Sequence, residues 1–221
     1  MIPYRKQWVS LTALMVLVVV LWNTWAIYPL KILVVFFHEL SHALAGVLTG
    51  GKVVEIRLEA SQGGCCIIQG GNQFLTLMAG YLGSLLIGGI ILVLAFRTRR
   101  DRELVTILGM IILLVGLFFV RPVVGFGFLF VMVAGAAMVT AGRRFPWQVN
   151  DFLLRTIGLT SCLYAVFDIK SDIIDRPYLG SDARMLSELT GIPTLVWGTV
   201  WIVVAVSATC YFVRMAGRSE K

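Results

Sequence analysis

The chain contains two histidines, and both stand in one five-residue stretch, His38-Glu39-Leu40-Ser41-His42, inside an apolar run. On a helix, residues four apart share one face. His38 and His42 can therefore each aim a ring nitrogen at a single ion. Zinc takes histidine nitrogen at about 2.0–2.1 Å and prefers four ligands. Glu39 is rotated by roughly 100° from His38, so it is placed to take a proton from water beside the ion. Two ligands and a general base in one helical turn form the H-E-x-x-H arrangement of metal-assisted hydrolysis. The plain alternative is a polar helix interface without an ion, which hydrocarbon makes expensive.

A catalytic zinc needs a third protein ligand and keeps its fourth place for water. No histidine remains, so a carboxylate is the economical choice. Asp168 is favoured because it closes an apolar block after Tyr164-Ala165-Val166-Phe167. Its competing role is a membrane-edge charge paired with Lys170 or Arg176. Asp172, one turn later on the same face, is the reserve ligand or a partner to a ligating histidine. Asp182 lies in Gly180-Ser181-Asp182-Ala183, where Ser181 or Asp182 could equally cap a short helix over Ala183–Thr190.

The elements that must position these residues are membrane helices. Of the 221 residues, 58% are hydrophobic and 14% charged, which is too apolar for a soluble domain. The apolar residues come in blocks: Val9–Leu30, Lys31–Gly50, Phe74–Phe96, Leu104–Val120, Pro122–Ala141, Val149–Phe167 and Ile192–Val213. Each is close to the roughly 20 residues that cross a bilayer. The expected fold is an all-α polytopic membrane protein with six or seven transmembrane helices. Residues 1–221 would form a single integral membrane domain, with the histidine-bearing helix at 31–50. The first block reads as a helix rather than a signal peptide, being too long for an h-region and lacking a clean A-x-A site.

Between the second and third blocks the period changes. Val54–Ala60 alternates apolar and polar, as a half-buried strand does. Ser61-Gln62-Gly63-Gly64 reads as a turn and Cys65–Gln69 as a return strand, giving a small β-hairpin at the membrane surface. Ala79-Gly80-Tyr81-Leu82-Gly83-Ser84 and Gly88-Gly89 supply small residues for close helix packing, including packing against the histidine helix. The four cysteines form neither a disulfide framework nor a second zinc site.

The net charge of +7 comes from basic residues that flank apolar blocks, a pattern suited to anionic headgroups rather than nucleic acid. Orientation stays open. Seven crossings with an internal N-terminus put Arg97–Arg102 and Arg143-Arg144 outside, and the reverse puts Arg5 and Lys6 outside. The chain is expected to be integral to a membrane, with the cell membrane as the expected location. The sequence specifies no oligomeric state.

Together these residues carry a resemblance. The chain is similar to the M50B-like branch of the site-2-protease (M50) family of intramembrane zinc metalloproteases. The likeness rests on His38-Glu39-Leu40-Ser41-His42, Ala79–Ser84, Asp168-Ile169 through Asp172, Gly180-Ser181-Asp182-Ala183 and Thr190-Gly191-Ile192-Pro193. It implies a Zn2+ enzyme that cuts peptide bonds within or beside the bilayer, with His38 and His42 as ligands, Glu39 as base and a downstream aspartate as third ligand. The Asn-Pro…Leu-Asp-Gly segment of better-known site-2 proteases is missing here, so the resemblance does not choose among Asp168, Asp172 and Asp182. The expected partner is a membrane-protein substrate helix that unwinds locally. The strand carrying Val54, Ile56 and Leu58 would hold it by edge pairing. Two rival readings are a non-catalytic membrane adaptor of the same fold and a metal-ion transporter, although transporters usually show repeats.

Overall fold

The computed structural model describes residues 2–172 and 180–218, with side chains from residue 7 onward. Its elements run α1 (Ile2–Val20), α2 (Tyr28–Leu48), β1 (Lys52–Leu58), β2 (Gly64–Gln69), α3 (Gln73–Arg97), α4 (Asp101–Phe119), α5 (Phe126–Arg144), α6 (Trp147–Lys170), α7 (Asp182–Thr190) and α8 (Thr194–Gly217). Among them α2, α3, α4, α5, α6 and α8 are long and apolar enough to cross a membrane. The chain is a polytopic integral membrane protein.

The first apolar block is not one span. Helix α1 stops at Val20, well before the end of the block. A turn over 21–27 follows, carrying the polar Asn23 and Thr24. Helix α2 then starts at Tyr28 with Pro29 in its first turn, where proline's missing N–H costs nothing. It is therefore shifted toward the N-terminus relative to the expected 31–50.

Helix α2 is the most enclosed of the spans, and α3 packs antiparallel to it. Asn72, the cap residue of α3, donates its backbone N–H to Thr49 Oγ1 at the end of α2, at 2.9 Å. Farther along, Gly83 of α3 lies against Ser41. On its other side α3 meets α6, where Ser161 Oγ donates to the Ser84 carbonyl at 2.8 Å. Helices α4 and α5 form a close pair: a Cβ on Gly109 would stand 2.8 Å from the Gly135 carbonyl oxygen.

The two strands pair antiparallel, from Lys52 opposite Gln69 to Leu58 opposite Gly64, with an irregularity between Val53 and Glu55. The hairpin is not a free-standing loop. It folds back along α2: Ile68 touches Gly46, Gly64 touches Glu39, and Tyr28 Oη donates to the Ala60 carbonyl at 2.7 Å. Burial of Val53, Ile56 and Leu58 in the main core explains this placement. Strand β1 also has a neighbour on its other edge, since Arg121 N–H donates to the Ile56 carbonyl at 2.9 Å and Ile56 bridges to Val120.

Candidate metal centre

The start of α7 brings one of the three candidate aspartates to the histidines. Ser181 is the N-cap, its hydroxyl accepting from Arg184 N–H at 3.4 Å. Asp182 is thereby released from capping, and its carboxylate reaches α2. Asp182 Oδ2 lies 3.0 Å from His38 Nε2 and 3.2 Å from His42 Nε2. One donor atom from each of the three residues falls within 4.8 Å of the others. Tetrahedral zinc with bonds of about 2.0–2.1 Å sets its ligands about 3.4 Å apart, so the cluster has the right size.

Hydrogen bonding leaves room for a cation or a proton there. His42 Nδ1 sits 2.7 Å from the Thr76 carbonyl oxygen. A carbonyl only accepts, so the ring carries a proton on Nδ1, and in the neutral ring Nε2 presents a lone pair. That lone pair faces a carboxylate oxygen, an arrangement that repels unless a cation or proton lies between. The Asp182 Oδ2 atom is itself buried and accepts no hydrogen bond of good geometry from the described residues. Burial pushes the Asp182 carboxyl up, but His42 and His38 outweigh it and hold the group below the usual carboxylate range. Two imidazoles and one ionised carboxylate suit a divalent transition-metal ion.

Three neighbours shape the surroundings. Gly80 of α3 backs the cluster: a Cβ there would press on His38 Nε2 and stand 2.6 Å from both Asp182 Oδ2 and His42 Cε1. Glu39 is buried, and Gly64 of β2 lies so close that a Cβ would collide with the Glu39 carboxylate. Tyr81 stands edge-on to His38, ring centres 4.8 Å apart, and donates from Oη to Asp172 Oδ2 at 2.5 Å. His38, Glu39, His42, Tyr81 and Asp182 line one cavity of about 880 Å³ together with the turn and strand β2 of the hairpin.

The Peptidase M50B-like family model matches this chain over residues 11–212, a stretch that contains α2, α3 and Asp182. The chain belongs to the M50B-like peptidases. Comparison with curated proteins and with solved structures gives no match.

In this M50B-like peptidase the sequence-derived candidates separate clearly. His38, Glu39 and His42 share the cavity as their spacing predicts. Asp182 joins the two imidazoles, and Asp168, the aspartate favoured from sequence, does not belong to that cluster. Asp168 and Asp172 line the same cavity from α6 and its end. Arg176, the suggested partner of Asp168, lies outside the described residues.

The substrate-binding expectation for Val54, Ile56 and Leu58 also changes. Ile56 and Leu58 are 0% and 6% exposed and belong to the core. Leu58 packs on Gly127 at the start of α5. The irregularity at Val54 turns that residue outward and makes Val53 the buried one. The hairpin residues that line the cavity instead include Cys65, Cys66 and Ile68 of β2. Tyr81 and Gly80 were legible only as helix-packing residues. Their position in a small-residue segment is the sole sequence signal for them.

Proposed function

We propose that this M50B-like chain is a zinc-dependent endopeptidase that hydrolyses peptide bonds within or next to the bilayer. The observation that carries the reading is the convergence of His38, His42 and Asp182 on one point beside Glu39, inside a cavity bounded by membrane helices. His38, His42 and Asp182 would hold the ion. When bound there, zinc supplies a Lewis acid that polarises a carbonyl and acidifies water toward neutral pH.

The protein's own groups do the rest. Glu39 takes the proton from water and returns it to the leaving amine. The backbone of Gly64 packs on the Glu39 side chain and limits where its carboxylate can point. The Thr76 carbonyl holds the His42 ring through Nδ1, and Gly80 allows α3 to approach all three ligands. An unwound substrate segment needs partners for its backbone groups. Because β1 is flanked by β2 and by Val120-Arg121, the edge offered to substrate is the outer edge of β2, by strand addition.

Glu39→Gln separates binding from chemistry. The variant should retain metal in the purified protein and lose cleavage of a helical membrane substrate by about 10²–10⁴-fold, the usual contribution of a positioned base. Cleavage by Glu39→Gln at the parent rate would remove Glu39 from the reaction.

A further inference from the structure

The basic residues collect at one end of the bundle. Arg97, Arg99, Arg100 and Arg102 surround the α3–α4 turn, Arg143 and Arg144 end α5, and Arg214 and Arg218 close α8; all are exposed. Several contacts tie these element ends together. Arg102 donates to the carbonyls of Gly142 and Arg143 at 3.0 and 2.6 Å. Asn150, at the start of α6, donates to the Ala141, Phe145 and Pro146 carbonyls. The Arg155 guanidinium lies 3.9 Å from the centre of the Phe96 ring. Gly217 packs on Trp8, which brings the start of α1 to the same end.

The metal centre lies at the other end. From Gly80, which backs the ligands, to Arg97 the helix rises about 25 Å at 1.5 Å per residue. A hydrocarbon core is about 30 Å thick. With Arg97 at one boundary, His38, His42 and Asp182 sit close to the opposite one. That end carries more carboxylates than cations among the described residues, and there Arg57 pairs with Glu55 and Arg184 with Glu188.

Helix α1 removes the conflict that the charge pattern alone leaves open. It starts against Gly217, and α2, which runs antiparallel to α3, starts at the same end. Trp22, just after α1, packs on Tyr164 and Phe167, and the chain then returns so that Ile27 joins Leu92, Phe96 and Leu11 in one cluster. The start of α1 therefore shares its side of the membrane with the α3–α4 and α5–α6 turns, which carry the arginine clusters.

Clusters of arginine at membrane ends are retained on the cytoplasmic side, where the leaflet is anionic. We infer that the arginine-bearing end of the bundle faces the cytoplasm and that the cavity containing His38, His42 and Asp182 opens near the opposite, non-cytoplasmic side of the bilayer. The orientation follows from charge and helix direction alone. Its consequence, that peptides are cut in the non-cytoplasmic half of the membrane, rests on the peptidase reading as well.

Labelling of the full-length chain in right-side-out membrane vesicles with a charged, membrane-impermeant maleimide tests this. The signal is read above that of the parent, which has its own cysteines. Gly180→Cys, at an exposed position with nothing within 4 Å of a Cβ, and Glu188→Cys should label in sealed vesicles. Arg99→Cys and Arg144→Cys should label only after detergent opens the membrane. Each end has two variants, so one that fails to accumulate leaves a reporter in place. The reverse pattern, labelling of both ends in sealed vesicles, or labelling of neither end before detergent would each overturn the orientation. None of these outcomes depends on whether the protein cleaves peptides.

Discussion

Helices α2 and α4 are both apolar enough to cross a bilayer, yet they are used in opposite ways. In its most apolar window α2 is 67% buried within the protein, whereas α4 is 22% buried. Helix α2 carries Lys31, His38, Glu39 and His42 within its length; α4 confines Asp101, Arg102 and Glu103 to its first turn. Lipid offers no partner to an ionisable group. Such groups therefore survive where α3, the hairpin and α7 replace lipid around the helix. The α4–α5 pair is covered far less and is held by close backbone approach at Gly109 and Gly135.

Glycine substitutions give the largest contrast between these regions. Gly80→Ala should abolish metal retention, because the added methyl enters the space of His38, His42 and Asp182. Gly109→Ala should lower stability by about 1–3 kcal/mol through overpacking and leave metal content unchanged. Elemental analysis of both purified variants, with a denaturation series, checks this. Equal metal loss in the two would mean that α3 backs the site no more specifically than α4 backs α5.

A smaller effect is expected at Tyr81. Tyr81→Phe keeps the ring against His38 and removes the hydrogen bond to Asp172. A bond to a charged group contributes about 1.5–3 kcal/mol, so the unfolding midpoint should fall while metal stays bound. Loss of metal in Tyr81→Phe would instead make the phenol part of the ligand framework.

The mildest change concerns the hairpin that shields α2. Burial, followed by the Glu39 carboxylate, pushes the Cys66 thiol up to about 12. The thiol is therefore protonated at neutral pH, and thiolate grows as pH rises. Alkylation of Cys66 should keep increasing about tenfold per pH unit through pH 9 to 10, where an ordinary thiol of pKa near 8.5 levels off. Glu39→Gln should move the curve to lower pH. An unmoved curve would separate β2 electrostatically from the base.

What could be read in the sequence was local. His38, Glu39 and His42 are fixed relative to one another by one helical turn, so their spacing suffices. Asp182 stood behind Asp168 in the sequence because its selection depends on a cap: with Ser181 accepting from Arg184 N–H, the neighbouring carboxylate can turn to α2. The alternation in β1 gave the strand but not its face, since one irregularity at Val54 exchanges Val54 for Val53. The apolar length of 9–30 suggested a full crossing, and the polar residues in the 21–27 turn divide it. Contacts between distant segments, such as Gly80 with Asp182, have no sequence period to announce them.

The central claim is that Asp182 completes a zinc site with His38 and His42. The most direct test is the zinc content of purified parent, Asp182→Asn and Asp168→Asn, prepared side by side and assayed for correct folding. About one zinc per chain is expected in the parent and in Asp168→Asn, as a single three-residue site requires, with loss of zinc in Asp182→Asn. Zinc retained by Asp182→Asn and lost from Asp168→Asn would contradict the assignment outright.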